Sequence, residues 1–344
     1  MSVLQAVLLV GAALLSWLLT NWVRRYALTS ALFDMPNERS AHLVPVPRGG
    51  GLSIVLVTLA LGVAASAFRW ITPATTLALA GGIPVAIIGW LDDRHSQPAL
   101  RRALVHAVAA VWAVWHLGGL PTLRIGESVV PLGAAGAVLA VVGLVTATNF
   151  FNFMDGIDGI AAGEAMLAGL VGGALLFGTG YSGLGFIALA IAAASAGFLV
   201  WNWSPARIFM GDIGSGFLGF VIAVLALASE RAGAIPLVLW ALILGVFIFD
   251  PLLTLLRRFA HGERWHAAHR SHAYQRIVQM GVSHARVTTG SMLTTCVLGG
   301  LAAVGAWRSA WVLAAGATGA LVLTAIYLLV ERRRPMDMAR DTQS

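Results

Sequence analysis

Charge-free stretches about as long as a bilayer is thick recur from one end of this chain to the other, and no other feature limits the fold so strongly. A transmembrane helix needs about 20 mostly apolar residues to cross about 30 Å of hydrocarbon. Uncharged runs cover residues 1–23, 49–68, 70–91, 103–123, 128–154, 165–206, 213–229, 232–249, 287–307 and 309–330. The longest, 165–206, holds Gly178-Thr179-Gly180-Tyr181-Ser182-Gly183, which reads as a turn between two helices. The pattern therefore predicts about eleven transmembrane helices. None of the runs has the ten-residue alternation of a membrane barrel, so the fold class expected is all-α, a polytopic membrane protein. Only 11% of the 344 residues are charged and 58% are hydrophobic, against about 25% charged in an ordinary soluble domain. A water-soluble globule is excluded.

All 22 basic residues are Arg. If the N-terminus lies outside, every Arg except Arg69, Arg124, Arg231 and Arg308 falls on the inner side, as the positive-inside rule requires. The expected orientation is N-terminus periplasmic and C-terminus cytoplasmic. Arg24 and Arg25 follow the first apolar run instead of preceding it, so this segment reads as an uncleaved anchor. Residues 1–330 then form a single integral-membrane domain, with 331–344 a short cytoplasmic tail. The net charge of +7 speaks to orientation, not to nucleic-acid binding. Cys296 stands alone, which excludes an intrachain disulfide or a thiolate metal cluster.

All 15 acids except Glu127 and Glu230 also fall in or beside inner loops, so the chemistry is expected on the cytoplasmic face. Gly89-Trp90-Leu91-Asp92-Asp93-Arg94 ends the third span with two adjacent carboxylates. Such a pair is costly unless a cation or an Arg lies between them; it also reads as a solvated loop start beside Arg94, Arg101 and Arg102. Between spans five and six, Asn149-Phe150-Phe151-Asn152-Phe153-Met154-Asp155-Gly156-Ile157-Asp158-Gly159 places Asp155 and Asp158 three residues apart, on one face if the helix has begun. Capping of the sixth helix explains one of these acids but not the whole set. Phe209-Met210-Gly211-Asp212-Ile213-Gly214-Ser215-Gly216 puts an acid before a run of small residues that opens span eight. Free N–H groups there attract phosphate, whereas Asp212 repels it unless a hard cation such as Mg²⁺ intervenes; packing explains the small residues but not the acid.

The last inner loop, Arg257 to Arg286, gathers His261, His266, His269, His272 and His284 among six Arg. Without Cys or sufficient nearby acid, zinc fits poorly. Arg forks and His N–H groups fit an anionic substrate, although a basic loop lying on anionic lipid has the same composition. The first inner loop, Pro36-Asn37-Glu38-Arg39-Ser40-Ala41-His42 through Pro45-Val46-Pro47-Arg48-Gly49-Gly50-Gly51, combines fixed and permissive backbone and reads as a shaped loop near a ligand. Spans six and seven, rich in Ala, Gly and Leu, read as packing helices.

Taken in order, PNERSAHLVPVPRGGG, the Asp92-Asp93 pair, NFFNFMDGIDGIAAGE, FMGDIGSGFLG and the His/Arg loop resemble the bacterial polyprenyl-phosphate N-acetylhexosamine-1-phosphate transferases, the glycosyltransferase family 4 group with WecA- and WbpL-like members and, more distantly, MraY. The resemblance covers most of residues 30–286. It implies transfer of a sugar-1-phosphate from a UDP-N-acetylhexosamine to undecaprenyl phosphate at the bacterial inner membrane, giving undecaprenyl-diphospho-sugar and UMP and starting O-antigen or another surface polysaccharide. It implies Mg²⁺, with Mn²⁺ as a substitute, on Asp212, with Asp92 and Asp93 beside the ion and the diphosphate and one of them deprotonating the lipid phosphate. His272 joins them as a catalytic candidate. Asn152 and Asp155 are implied to line the nucleotide site, Asp158 to meet the uracil and Phe209 to stack on it. Arg48, His269, Arg270 and His272 are the candidates for phosphate contact. Membrane lipid is the other expected partner, a homodimer is compatible, and nucleic acid is not expected.

One departure stands out. WecA-like members carry H-x-H-H in the last inner loop, whereas this chain has His272-Ala273-Tyr274-Gln275. HRSHAYQR looks more like the WbpL branch, and the P-x-H-H-H string expected of MraY is missing. The competing readings are a transporter, whose acids belong near the bilayer midplane and often in inverted repeats, an MraY-like pentapeptide transferase, and a membrane phosphatase.

Overall fold

The computed structural model describes residues 1–30, 32–34, 45–262 and 269–336. Residues 36–44 of the Pro36-to-Gly51 loop expected near a ligand, and His266, lie outside the described residues. Each charge-free run carries helix: α1 (Val3–Thr29), α2 (Leu52–Ala67), α3 (Pro73–Ala80), α4 (Gly82–Arg94), α5 (Ala99–Leu117), α6 (Gly133–Met154), α7 (Ile160–Gly178), α8 (Ser182–Asn202), α9 (Asp212–Arg231), α10 (Leu237–Ile243), α11 (Gly245–Ala260), α12 (Ala273–Gln279), α13 (His284–Trp307) and α14 (Val312–Arg333). The protein is a mainly helical, multi-pass membrane protein. Among the described residues, eight helices are long and apolar enough to cross a bilayer, counting α3 and α4 as one rod, and nine if the bent pair α10 and α11 is one span. The helix α2, at 16 residues, reaches only about 24 Å at 1.5 Å per residue. The helix α5 carries Arg101, Arg102 and His106.

Two expectations need correction. The run over 232–249 is not one straight helix that ends before Asp250: α10 and α11 meet at Leu244 with an 83° bend, and α11 continues through Asp250 and Pro251 to Ala260. Counting charge-free residues cannot find such a helix, because α11 carries Asp250, Arg257 and Arg258 as well as its apolar residues. The fold also includes two small antiparallel ladders, Phe33–Asp34 with Val46–Pro47 and Thr122–Ile125 with Ser128–Pro131. The second is a hairpin between α5 and α6.

In a bilayer there is little hydrophobic drive between helices, so they associate through close packing of small side chains. The expected turn falls at Thr179–Tyr181, and α7 packs closely on α8 at Gly169, where a Cβ would collide with Ala188 and Ala192, and at Gly173, where it would collide with Leu189. The helix α9 is the central rod: its buried residues include Phe217, Leu218, Phe220, Val221, Val224 and Leu225, and it packs against α4 and α6. At Gly89 the backbone of α4 lies against that of Asp212 so closely that any Cβ would collide with it. This contact is what brings the Asp92-Asp93 end of α4 to the first turn of α9.

A candidate active site at the ends of α4, α6 and α9

Three separated sequence segments meet at the α9 N-terminus. The backbone over 46–51 is stitched to that over 209–211: Phe209 N–H donates to Pro47 O at 2.8 Å, Gly50 N–H to Phe209 O at 2.9 Å and Gly51 N–H to Met210 O at 2.9 Å. This seats Arg48 between two carboxylates, with Nε 2.8 Å from Asp93 Oδ1 and Nη2 2.8 Å from Asp212 Oδ1. Asp34 lies 4.0 Å from Arg48 Nη1. Burial opposes the Arg48 charge, but Asp93, Asp212 and Asp34 outweigh it and push its pKa above the ordinary arginine value.

Asp92 and Asp93 are neighbours with different engagements. Asp93 Oδ1 accepts the N–H of Asp212 at 2.8 Å and Oδ2 that of Ile213 at 3.1 Å, so it caps α9 from another helix. Its side chain is 1% exposed, and both oxygens are committed. Gly211 makes this approach workable: its φ is +77°, and a Cβ there would collide with the Asp93 carboxylate. Asp92 Oδ1 accepts Gln97 N–H at 2.6 Å, and its Oδ2 is 3.0 Å from Arg102 Nη1, which is also 3.3 Å from Asp212 Oδ2. Arg102, read in the sequence only as part of a solvated loop start, is therefore a bridge within the site. Its signal was its place in the first turn of α5, one short connection after the acid pair.

The segment 152–158, the end of α6 and the connection after it, joins this cluster to the last inner loop. The Asn152 side chain lies beside the Asp212 carboxylate. Asp155 ends α6; burial and the nearby Asp212 push its carboxyl well above the usual range, against the pull of Arg48. Asp158 is buried, and its Oδ2 accepts Ala206 N–H at 3.2 Å and lies 3.3 Å from His284 Nδ1. Burial works against this carboxylate, but His284, Ser204 and Ala206 outweigh it and hold its pKa below the usual range. Its carbonyl accepts the Thr288 hydroxyl at 2.7 Å. His284 was counted in the basic loop, but its pairing with Asp158 had no local sequence signal.

His272 is 3% exposed, precedes α12, and has its ring 6.4 Å from that of Phe153 and 4.8 Å from that of His269. Arg270 sits between the two His residues in sequence and accepts Gln279 Nε2 on its carbonyl at 3.0 Å. Phe209 is half-buried beside the Pro47 strand. The structure thus gathers Arg48, Asp92, Asp93, Asn152, Asp155 and Asp212 directly, with His269 and His272 reached through Phe153. Asp158 stands one step further out, on His284. All these residues lie at helix ends on one face of the bundle, whereas the hairpin at 122–131 and the turn at 179–181 mark the other.

The donors fit a hard cation, since Asp92 and Asp212 offer only carboxylate oxygen. Among the described residues no three His, Cys, Asp or Glu side chains converge as a ready metal cage. That suits Mg²⁺, which takes one or two carboxylates and completes its shell with water and substrate phosphate.

Carboxylates and guanidiniums alternating at the helix ends of an apolar bundle define a class: a multi-pass membrane protein with a charged cluster on one face. Sequence comparison gives the family. The description "Glycosyl transferase family 4" matches residues 75–230. A probable undecaprenyl-phosphate N-acetylglucosaminyl 1-phosphate transferase of Bacillus subtilis is 30% identical over 78% of this chain and 75% of its own length. A decaprenyl-phosphate N-acetylglucosaminephosphotransferase of Mycolicibacterium smegmatis is 30% identical over 96% of this chain and 90% of its own. A phospho-N-acetylmuramoyl-pentapeptide-transferase of Synechocystis is 32% identical over a smaller share, 60% of this chain and 58% of its own. The chain belongs to glycosyl transferase family 4 and is a transferase of the polyprenyl-phosphate sugar-1-phosphate type.

Proposed function

We propose that this protein moves an N-acetylhexosamine-1-phosphate from its UDP-sugar to undecaprenyl phosphate, releasing UMP, and so starts O-antigen or a related surface polysaccharide. The sugar is UDP-N-acetylglucosamine or a 6-deoxy analogue. The chain crosses the inner membrane eleven times, with its N-terminus periplasmic and its site and C-terminus cytoplasmic. The short α2, the Arg-bearing α5 and the bent α10 and α11 make up the count, and the Arg distribution supports the orientation.

The observation that carries this reading is the convergence of Arg48, Arg102, Asp92 and Asp212 at the α9 N-terminus. Joining two phosphates crowds negative charge, so catalysis rests on positioning and charge neutralisation. An oxygen of the lipid phosphate attacks the phosphorus that bears the sugar, and the bond from that phosphorus to the bridging oxygen breaks as UMP leaves with the electron pair. Asp92 takes the proton of a monoprotonated acceptor. Arg48 and Arg102, each now spanning carboxylates, offer the remaining donors to the diphosphate. Mg²⁺, or Mn²⁺ in its place, would be held by Asp212 with Asp92 and would neutralise the diphosphate oxygens.

Membranes containing the protein, supplied with undecaprenyl phosphate, Mg²⁺ and a panel of UDP-sugars, should release UMP with an N-acetylhexosamine donor. Asp212→Asn should abolish turnover without unfolding the protein. A near-normal rate in that variant at saturating Mg²⁺ would refute the metal assignment.

A further inference from the structure

Asp250, which no sequence argument singled out, and Tyr274, which stood out only as a departure from H-x-H-H, are both committed to the segment that carries His272. Asp250 lies in the second turn of α11, just past the bend, and is buried. Its Oδ1 accepts Ala273 N–H at 2.8 Å and the Thr254 hydroxyl at 3.1 Å, and its Oδ2 accepts Tyr274 N–H at 3.2 Å. These are first-turn N–H groups of α12, which have no acceptor within their own helix. His272 Nδ1 lies 3.6 Å from the same carboxylate, at ion-pair distance. A charge on one helix thus closes the end of another and faces the imidazole just before it.

Tyr274 reaches the opposite way. It is 5% exposed, and its hydroxyl donates to the carbonyl of Phe153 at 3.0 Å. The same hydroxyl lies against Gly156, where a Cβ would collide with it. The Phe153 and Tyr274 rings both stack on His272, with centroids at 6.4 Å and 5.9 Å. At seven residues, α12 is far too short to hold its own conformation. Its placement depends on Asp250 at one side and Tyr274 at the other.

We propose that Asp250 and Tyr274 are positioning residues: a strut from α11 through α12 to the last turn of α6 that fixes where His272 stands relative to Asn152 and Asp155. This rests on the reading that the segment 152–158 and His272 receive the nucleotide sugar. The Tyr274 hydroxyl is spent on the protein backbone, so its contribution is geometric. Loosening the strut lets the two halves of the nucleotide-sugar site drift apart while the Asp92, Asp212 and Arg48 cluster, which it does not touch, keeps its arrangement. Donor binding should suffer and acceptor binding should not.

Tyr274→Phe removes one oxygen and keeps the ring; Asp250→Asn keeps the shape and one acceptor. In purified full-length protein, each should raise the KM for UDP-N-acetylglucosamine and the Kd for UMP about five- to twentyfold. The KM for undecaprenyl phosphate should stay within twofold and kcat within threefold. Because both act through one element, the double variant should lose no more than about twofold beyond the worse single variant. Amide hydrogen exchange over 152–158 should quicken in Tyr274→Phe without ligand present. Unchanged UMP affinity and unchanged exchange in Tyr274→Phe, or losses that multiply in the double variant, would overturn the strut. Faster exchange in a protein whose parent binds no UMP would uphold the strut and sink the functional reading instead.

Discussion

Adjacent carboxylates that look alike in sequence should fail in different ways when removed. Asp93→Ala deletes the acceptor for the N–H groups of Asp212 and Ile213 and strips Arg48 of a partner at 2.8 Å, all around a side chain that is 1% exposed. Breaking a buried, hydrogen-bonded ion pair costs about 3–5 kcal/mol, because the remaining charge is left uncompensated. Asp92→Ala deletes one backbone acceptor, that of Gln97 N–H, and one contact with Arg102, whose side chain is 36% exposed. A hydrogen bond contributes about 1 kcal/mol and an ion pair with so exposed a partner contributes between nothing and about 1 kcal/mol. At roughly 2 °C per kcal/mol for a chain of this size, Asp93→Ala should lower the melting temperature by about 6–10 °C. Asp92→Ala should lower it by about 2–4 °C. Both should lose UMP release in the membrane assay, but only for Asp92→Ala should the loss persist in protein that is still fully folded at the assay temperature. The assay is thermal unfolding of detergent-purified variants, followed by Trp fluorescence, beside single-time-point turnover. Equal melting shifts for the two variants, or an unshifted Asp93→Ala, would mean that Asp93 does not cap α9 and that the reasoning from its hydrogen bonds is wrong.

Arg102→Ala should cut turnover by at least tenfold, since Arg102 bridges Asp92 and Asp212, whereas Arg101→Ala, whose guanidinium among the described residues reaches the Gln97 side chain, should stay within twofold; equal effects from the two would remove Arg102 from the site. For Asp158, the depressed pKa means that its ionised form stabilises the fold above the unfolded carboxylate pKa of about 3.9, and that this contribution is lost as pH falls through the lower folded value. Asp158→Asn should therefore be less stable than the parent at pH 7, by about 1–3 kcal/mol for the charged hydrogen bonds lost, and the gap should close on acidification below about pH 4. A gap that is constant with pH would mean that the carboxylate charge is not what His284 and Ala206 stabilise.

The helices, and the acids that converge at the α9 N-terminus, were largely legible along the chain, for physical reasons that differ. Apolar runs declare membrane helices because lipid leaves no alternative way to satisfy the backbone, which is why α1, α6, α9, α13 and α14 fall where the charge-free residues are. Asp92, Asp155 and Asp212 could be picked out because an acid at such a boundary is costly and needs a reason. The helix α11 was misread because its charged residues end the apolar run at Asp250, although the helix continues to Ala260. Arg102, His284, Asp250 and Tyr274 were not legible, because each has its role only through a partner far away in sequence: Asp212, Asp158, Ala273 and Phe153.

By itself the sequence determined that the chain is a helical membrane protein and the family to which it belongs. Tertiary structure decided how the work is divided. Local sequence cannot distinguish Asp92 from Asp93, since both end the same helix; only the approach of α9 across Gly89 and Gly211 makes one a cap and leaves the other facing Arg102. Hydropathy is a property of each segment and can be read one segment at a time. A carboxylate's role depends on which donors reach it, and those donors arrive from helices that meet only once the bundle has packed.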